Sequence, residues 1–524
     1  MMLSDRVNGR SLGRYLTVLL VLGLASLLPQ AAWCASARTG ESQWRAPKQA
    51  IQAAQGEVPA AAQDIKHVLL LTIDGAHPLD VENYIQSHPQ SALAKIKAMG
   101  IWYNNAMAPV PSDSFPAMMA IITGAGPATA GIWYETSYHR DLSPQGSDCS
   151  KVGTDVALDE TIDINKTDVW GGGGFNTAAL PRNPKDNCSP VYPHQLLRVN
   201  TVFDVIKQAG MYTAFADKQL GDDADQGPTG HAIDDFYTPE LHHWAQAHTI
   251  AAFEQVDEFR SKAVLNWING KNGKGTESIP VPAIMGESFQ AVSQGEKQAA
   301  GDGWTDASGT PSAALTQAFD HTDALIGQML DELKANNLLS STAIIVTAKH
   351  GQMPIDVSKL RKIDPKVMVD AVNAVSPGLV ADSTGDDIFM FWLSDQSKTP
   401  EAVKALEAVQ TQAHIRRIWS GTALKIMFDD PKTDPETPDI IVEPELGVIY
   451  TRPTNPTIAE HGGMSIEDRH VPILIANPRF EPNVVQTPVQ TRQLAPTIVK
   501  LLGLDPQGLE GVRIDKTEAL PGLF

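Results

Sequence analysis

Four short segments carry residues able to do chemistry. Ser112-Asp-Ser-Phe-Pro116 precedes a short apolar stretch, Ala117–Ile122, stopped by Thr123-Gly124. Proline is tolerated in a first helical turn. That spacing predicts a helix whose N-cap is close to Ser114. Free backbone N–H groups and the positive end of the helix dipole favour an anion at such a hydroxyl. Asp74-Gly75 closes the apolar run His67–Ile73, and Lys349-His350-Gly351 closes the run Thr342–Thr347. Glu460-His-Gly-Gly-Met-Ser465 places a second imidazole, His461, in a glycine-rich loop. An aspartate, a serine and two histidines on such loops could bind a hard or borderline divalent metal that makes the hydroxyl nucleophilic. Each segment also has a plain reading: Ser114 as a helix cap, Lys218 in Ala216-Asp-Lys218 as a surface lysine, His77 as a capping histidine.

The elements needed to hold these residues are visible as periodicity. His67–Ile73, Thr342–Thr347 and Val471–Ala476 are continuous apolar runs, as strands buried on both faces require. Pro472 moves the last one toward a sheet edge or a strand start. Leu315, Phe319, Thr322, Ile326, Met329, Leu330 and Leu333 fall on one helical face, with Thr310-Pro311 as its cap. Asn200 or Thr201 starts a helix through Gln208, stopped by Gly210, and a strand Met211–Ala216 follows. A last helix covers Ala495–Leu502. This alternation predicts an α/β core with a mostly parallel central sheet flanked by helices. Ligands then bind beyond the carboxyl ends of the strands, where Asp74 and Lys349-His350 stand. Residues 353–445 break the rhythm and read as an inserted smaller cap, between core segments 64–352 and 446–524.

The chain has 524 residues and a net charge of −20, which disfavours nucleic-acid backbones, and it has no clustered Lys/Arg patch. Arg6, Arg10 and Arg14 precede the apolar run Tyr15–Leu28 and a small-residue stretch ending Ala35-Ser-Ala37. That is the pattern of a secretory signal peptide over residues 1–37, with 38–63 as a loose lead-in. The implied location is periplasmic or secreted, with no membrane anchor once the signal is removed. Cys34 leaves with the signal, so Cys149 and Cys188 remain, and an oxidising compartment favours a disulfide between them.

In their order along the chain, these segments resemble the alkaline phosphatase superfamily. The nearest branch is the type I phosphodiesterase/nucleotide pyrophosphatase family. The resemblance rests on Leu71–Gly75, Ser112–Gly131, the Asp323…Gly327 helix, Ala348–Gly351 and Ala459–Gly463, and runs from about His67 to the C-terminus. It implies a serine nucleophile beside one or two divalent metal ions, usually zinc, and a small phosphate-ester substrate, diester more than monoester. On that pattern Ser114 is the nucleophile, Asp74 and His350 share one metal site, and His461 and Asp306 belong to the other. Lys349 stands where the family carries a metal-binding aspartate, and Thr310 where it carries a histidine. A protonated ammonium repels a cation, so Lys349 is expected to bind the anionic group, with Lys218 as a second substrate contact. Two alternatives follow from these departures. One is a non-catalytic or weakly active anion- or nucleotide-binding member of the fold. The other is a sulfatase-like hydrolase, against which Met118 replaces the arginine of the sulfatase modification segment.

Overall fold

The run His67–Ile73 has no polar face to offer water, and it becomes strand β1 inside a nine-stranded sheet. The computed structural model describes residues 64–239 and 249–524; the expected signal peptide and lead-in lie outside them. The other strands are β2 (Gly100–Met107), β3 (Ala214–Ala216), β4 (Asp235–Tyr237), β5 (Ile284–Phe289), β6 (Thr342–Thr347), β7 (His470–Ala476), β8 (Asn483–Val485) and β9 (Val489–Gln490). Their order is β8-β2-β7-β6-β1-β5-β3-β4, with β9 also paired to β2. Every pair is parallel except those made by β7, which runs against both β6 and β2.

Two expectations change here. β7 is interior, not an edge strand. The sheet tolerates Pro472 because its pairing with β2 shifts register between Val471 and Ile473, and a bulge is where a residue without an N–H fits. The long helix starts later than Thr310: Ala313–Ala335 is capped by Ser312, whose hydroxyl accepts from the Leu315 N–H at 3.1 Å. Its seven stripe residues are all buried, each apolar one contributing about 1.5–3 kcal/mol. Thr201 caps Val202–Gln208 as expected, and Leu494–Leu501 is the last long helix. Asp323 accepts from the backbone N–H groups of Ala92 and Leu93, a structural role that caps the neighbouring helix.

Register sets the level at which the loops leave the sheet. Thr72 on β1 faces Thr347 on β6 and Ser288 on β5, and Ala216 on β3 faces Glu287 on β5. The residues just past these four strand ends therefore emerge side by side.

Residues 380–444 build a separate four-stranded antiparallel sheet with its own apolar cluster, around Met368, Phe391, Leu406 and Val442. Its other face meets Trp133 and Tyr134 through Ile388, Met390 and Trp392. Among the described residues no helix is long and apolar enough to cross a membrane. Cys149 and Cys188 are joined by a disulfide, with Cα atoms 5.9 Å apart.

Candidate active site

Four adjacent strand ends deliver the site. Asp74 follows β1, Gln290 follows β5, Asp217-Lys218 follows β3, and Lys349-His350 lies just past β6. Ser114 opens the helix Ser114–Thr123, designated α1. The cap itself is Asp113, whose side chain accepts from the Phe115 N–H at 3.3 Å. Ser114 thus sits one residue further in than the sequence suggested, and its hydroxyl is freed from capping.

That hydroxyl lies 3.1 Å from Nε2 of His350. On the other side of the ring, Nδ1 is 3.0 Å from the Gly351 carbonyl, which can only accept. Nδ1 therefore carries the proton, and a neutral His350 offers Nε2 to the serine. Burial drives His350 down to about 3, although the nearby Asp74 carboxylate pulls the other way. The ring is neutral over the physiological range. His461 stacks on it with centroids 3.7 Å apart, and its Nδ1 is 3.9 Å from Asp113. Burial and the adjoining His350 lower His461 well below its ordinary value.

Asp74 is anionic. Burial pushes its pKa up, but Lys349, Lys218 and His350 outweigh that and lower it. Its Oδ2 accepts from Gln290 Nε2 at 2.7 Å and is 3.7 Å from the Lys218 ammonium. Lys218 also lies 5.9 Å over the Phe115 ring, beside the serine. Asp113 is held up at about 7, first by burial and then by Glu135.

Lys349 departs from its expected role. It is completely buried, and its ammonium bonds both oxygens of Asp217, at 2.8 and 3.0 Å. Ser288 donates to the same carboxylate, so the ammonium is held in a buried network with Asp217. Asp306 is not brought to the cluster. It is exposed in a turn, with its carboxylate engaged by Ser308 and Thr310. Ser114, Asp74, His350, His461 and Lys218 do come together. Gln290 and Asp217 were missed: glutamine is neither a usual metal ligand nor a nucleophile, and Asp217 stands in no motif beyond its strand end. The signal available was slight, because Ile284-Met-Gly-Glu-Ser-Phe289 is not an apolar run although every residue of it is buried; its pairing places Gln290 level with Asp74.

The type I phosphodiesterase/nucleotide pyrophosphatase family model matches residues 68–465, well over half of the sequence. The chain belongs to that family. No curated protein matches it. Among solved structures it is similar to mouse ectonucleotide pyrophosphatase/phosphodiesterase 5, at 15% identity and a TM-score of 0.54, over 84% of this chain and 96% of that one. The human form of the same protein matches at 14% and 0.52, over 84% and 95%. The alkaline phosphatase PafA matches at 12% and 0.59, over 84% and 96%. At such identities the likeness shows the fold, an alkaline-phosphatase-like α/β architecture.

The fold family uses divalent metal, and the donors here decide whether one fits beside Ser114. Asp74 Oδ1 and His461 Nδ1 are buried and without hydrogen-bond partners. Against them stands the Lys218 ammonium, 3.7 Å from Asp74 Oδ2. At about 4 Å and an effective dielectric constant near 20, one such charge repels a divalent ion by roughly 8 kcal/mol. Among the described residues, the expected ligands do not gather their ligand atoms within 4.8 Å. The set that does is His77, Asp80 and Glu296, packed behind Gly75 and Gly351. Distance makes it a candidate ion site, but its atoms other than Glu296 Oε1 already have partners. His77 bonds Asp80 at 2.7 Å and the Glu467 carbonyl at 2.8 Å, and Asp80 accepts from Trp304 at 2.8 Å. The residues around Ser114 do not fit a two-metal centre.

Proposed function

We propose that the protein is an exported hydrolase of phosphate esters, of the diester or nucleotide-pyrophosphate class, in which Ser114 Oγ attacks phosphorus. The observation that carries this is the Ser114 hydroxyl in the first turn of α1, 3.1 Å from an imidazole nitrogen, with the Lys218 ammonium 5.9 Å over the ring of the next residue, Phe115. Helix N–H groups and the lysine favour an anion there, and the neutral imidazole offers Nε2 as an acceptor for the hydroxyl proton. A nucleotide as substrate draws support from an inactive form of the mouse relative, solved in complex with AMP. Export draws support from the n-region and apolar run of residues 1–37 and from the disulfide. Segment 353–445 is the proposed cap: Asp386 from it accepts a hydrogen bond from Tyr134 at 3.3 Å.

Purified protein should hydrolyse bis-p-nitrophenyl phosphate, and Ser114→Ala should lower kcat/KM on the order of a thousandfold or more. Equal rates in the two would remove Ser114 from the mechanism. The second reading, a binding member of the fold, is favoured by Lys349 at a family ligand position. It predicts nucleotide binding with no turnover in either protein.

A further inference from the structure

We propose that the Ser114 centre operates without a divalent metal, with Lys218 as the fixed cation facing the phosphoryl group and His350 as the base that takes the serine proton. The proposal rests on Ser114 as nucleophile and concerns what surrounds it. Asp74, the carboxylate expected to hold metal, is already compensated: Gln290 donates to Oδ2 at 2.7 Å, and Lys218 lies 3.7 Å from the same oxygen. That long approach to Asp74 is the one ion pair of Lys218 among the described residues, and it leaves N–H donors for a ligand. Lys218 is only 8% exposed, so its charge is desolvated and acts more strongly than a surface lysine would. The second positive charge, Lys349, is neutralised by Asp217 and fixed in place. His350 presents Nε2 to the serine with its other nitrogen tied to a carbonyl, which fixes the tautomer that can accept the serine proton.

The chemistry balances without an ion. The Ser114 proton passes to His350 Nε2 as the Oγ–P bond forms. The P–O bond to the leaving group breaks, and His350 Nε2 hands its proton to the departing oxygen. A water then gives a proton to His350 as its oxygen bonds to phosphorus, the Oγ–P bond breaks, and Oγ regains that proton from His350. Lys218 holds the non-bridging oxygens throughout.

The test uses full-length mature protein dialysed against chelator. Metal content by plasma mass spectrometry and zinc titration by calorimetry need no substrate. Less than a tenth of an equivalent of metal, and no zinc binding at micromolar concentration, support the proposal. Stoichiometric zinc that is lost in Asp74→Asn overturns it, whether or not any ester is turned over. Hydrolysis of bis-p-nitrophenyl phosphate within twofold of its rate in EDTA also supports it, and activity that needs added zinc overturns it while leaving Ser114 in place. Inorganic phosphate binding in EDTA should weaken at least tenfold in Lys218→Met and be largely kept in Lys218→Arg. Unchanged binding in Lys218→Met removes the lysine from the anion site. A metal-free protein that binds phosphate through Lys218 but hydrolyses nothing supports the cation assignment, and overturns both the base and the hydrolase reading.

Discussion

At the scale of single residues, charge compensation decides the character of the site. Lys349 and Asp217 are both fully buried and joined by two hydrogen bonds. Removing one partner of such a pair strands the other charge, at a cost of about 3–5 kcal/mol. Lys349→Met should therefore lower the unfolding free energy obtained from urea titration by that amount, and Asp217→Asn on the same background should recover part of it. A Lys349 that instead faced substrate would show little stability change and a large activity loss. Asp113 gives a pH signature. Its carboxyl is neutral below about 7 and anionic above it. An anionic ester approaching Ser114 then meets an extra negative charge, so kcat/KM should fall as pH rises through 7. His350 is neutral above about 3, so its own titration leaves that limb unmasked. Asp113→Asn keeps the helix cap and should abolish the fall.

At the scale of elements, the strand-end loops are packed too closely for ordinary side chains. A Cβ at Gly351 would run into the Glu467 carbonyl oxygen and come within 2.6 Å of His77 Nε2. Neither neighbour is the loose end of a flexible chain, because His77 is buried and bonded to Asp80. Gly351→Ala should destabilise by about 1–3 kcal/mol. It should also lower kcat more than it raises KM, because the displaced loop carries His350 away from Ser114. Circular dichroism melts together with steady-state kinetics would separate the two effects. A loss of stability with unchanged kcat would show that the loop repacks without moving the imidazole.

At the scale of the whole molecule, the disulfide closes a long irregular excursion on itself. Cys149 and Cys188 are 39 residues apart, and the segment between them includes Gly171, Gly172, Gly173 and Gly174, all at positive φ. Such a chain has much freedom to lose on folding. In the chain-entropy account, closing a loop of that length stabilises by about 4 kcal/mol. Protein refolded with reductant, or the Cys149→Ser/Cys188→Ser variant, should unfold at a lower denaturant concentration by a corresponding amount. Equal midpoints would make the crosslink incidental to stability.

The sequence by itself determined the elements whose signal is local. Continuous apolar runs marked β1, β6 and β7, the three- and four-residue spacing marked the helix Ala313–Ala335, and Ser114, Asp74, His350 and His461 declared themselves by chemical type at element ends. Two cysteines in a chain with an export pattern were enough to expect their pairing. Only the tertiary structure could decide how charges are shared, because a charge's partner is set by which strands lie side by side. Lys349 reads as a ligand-facing cation until β3 brings Asp217 to it across the sheet, and Gln290 reads as nothing until β5 sets it against Asp74. The positions of Asp306 and of Pro472 were settled the same way, one by a turn that satisfies its carboxylate locally, the other by a register shift that no single strand can reveal.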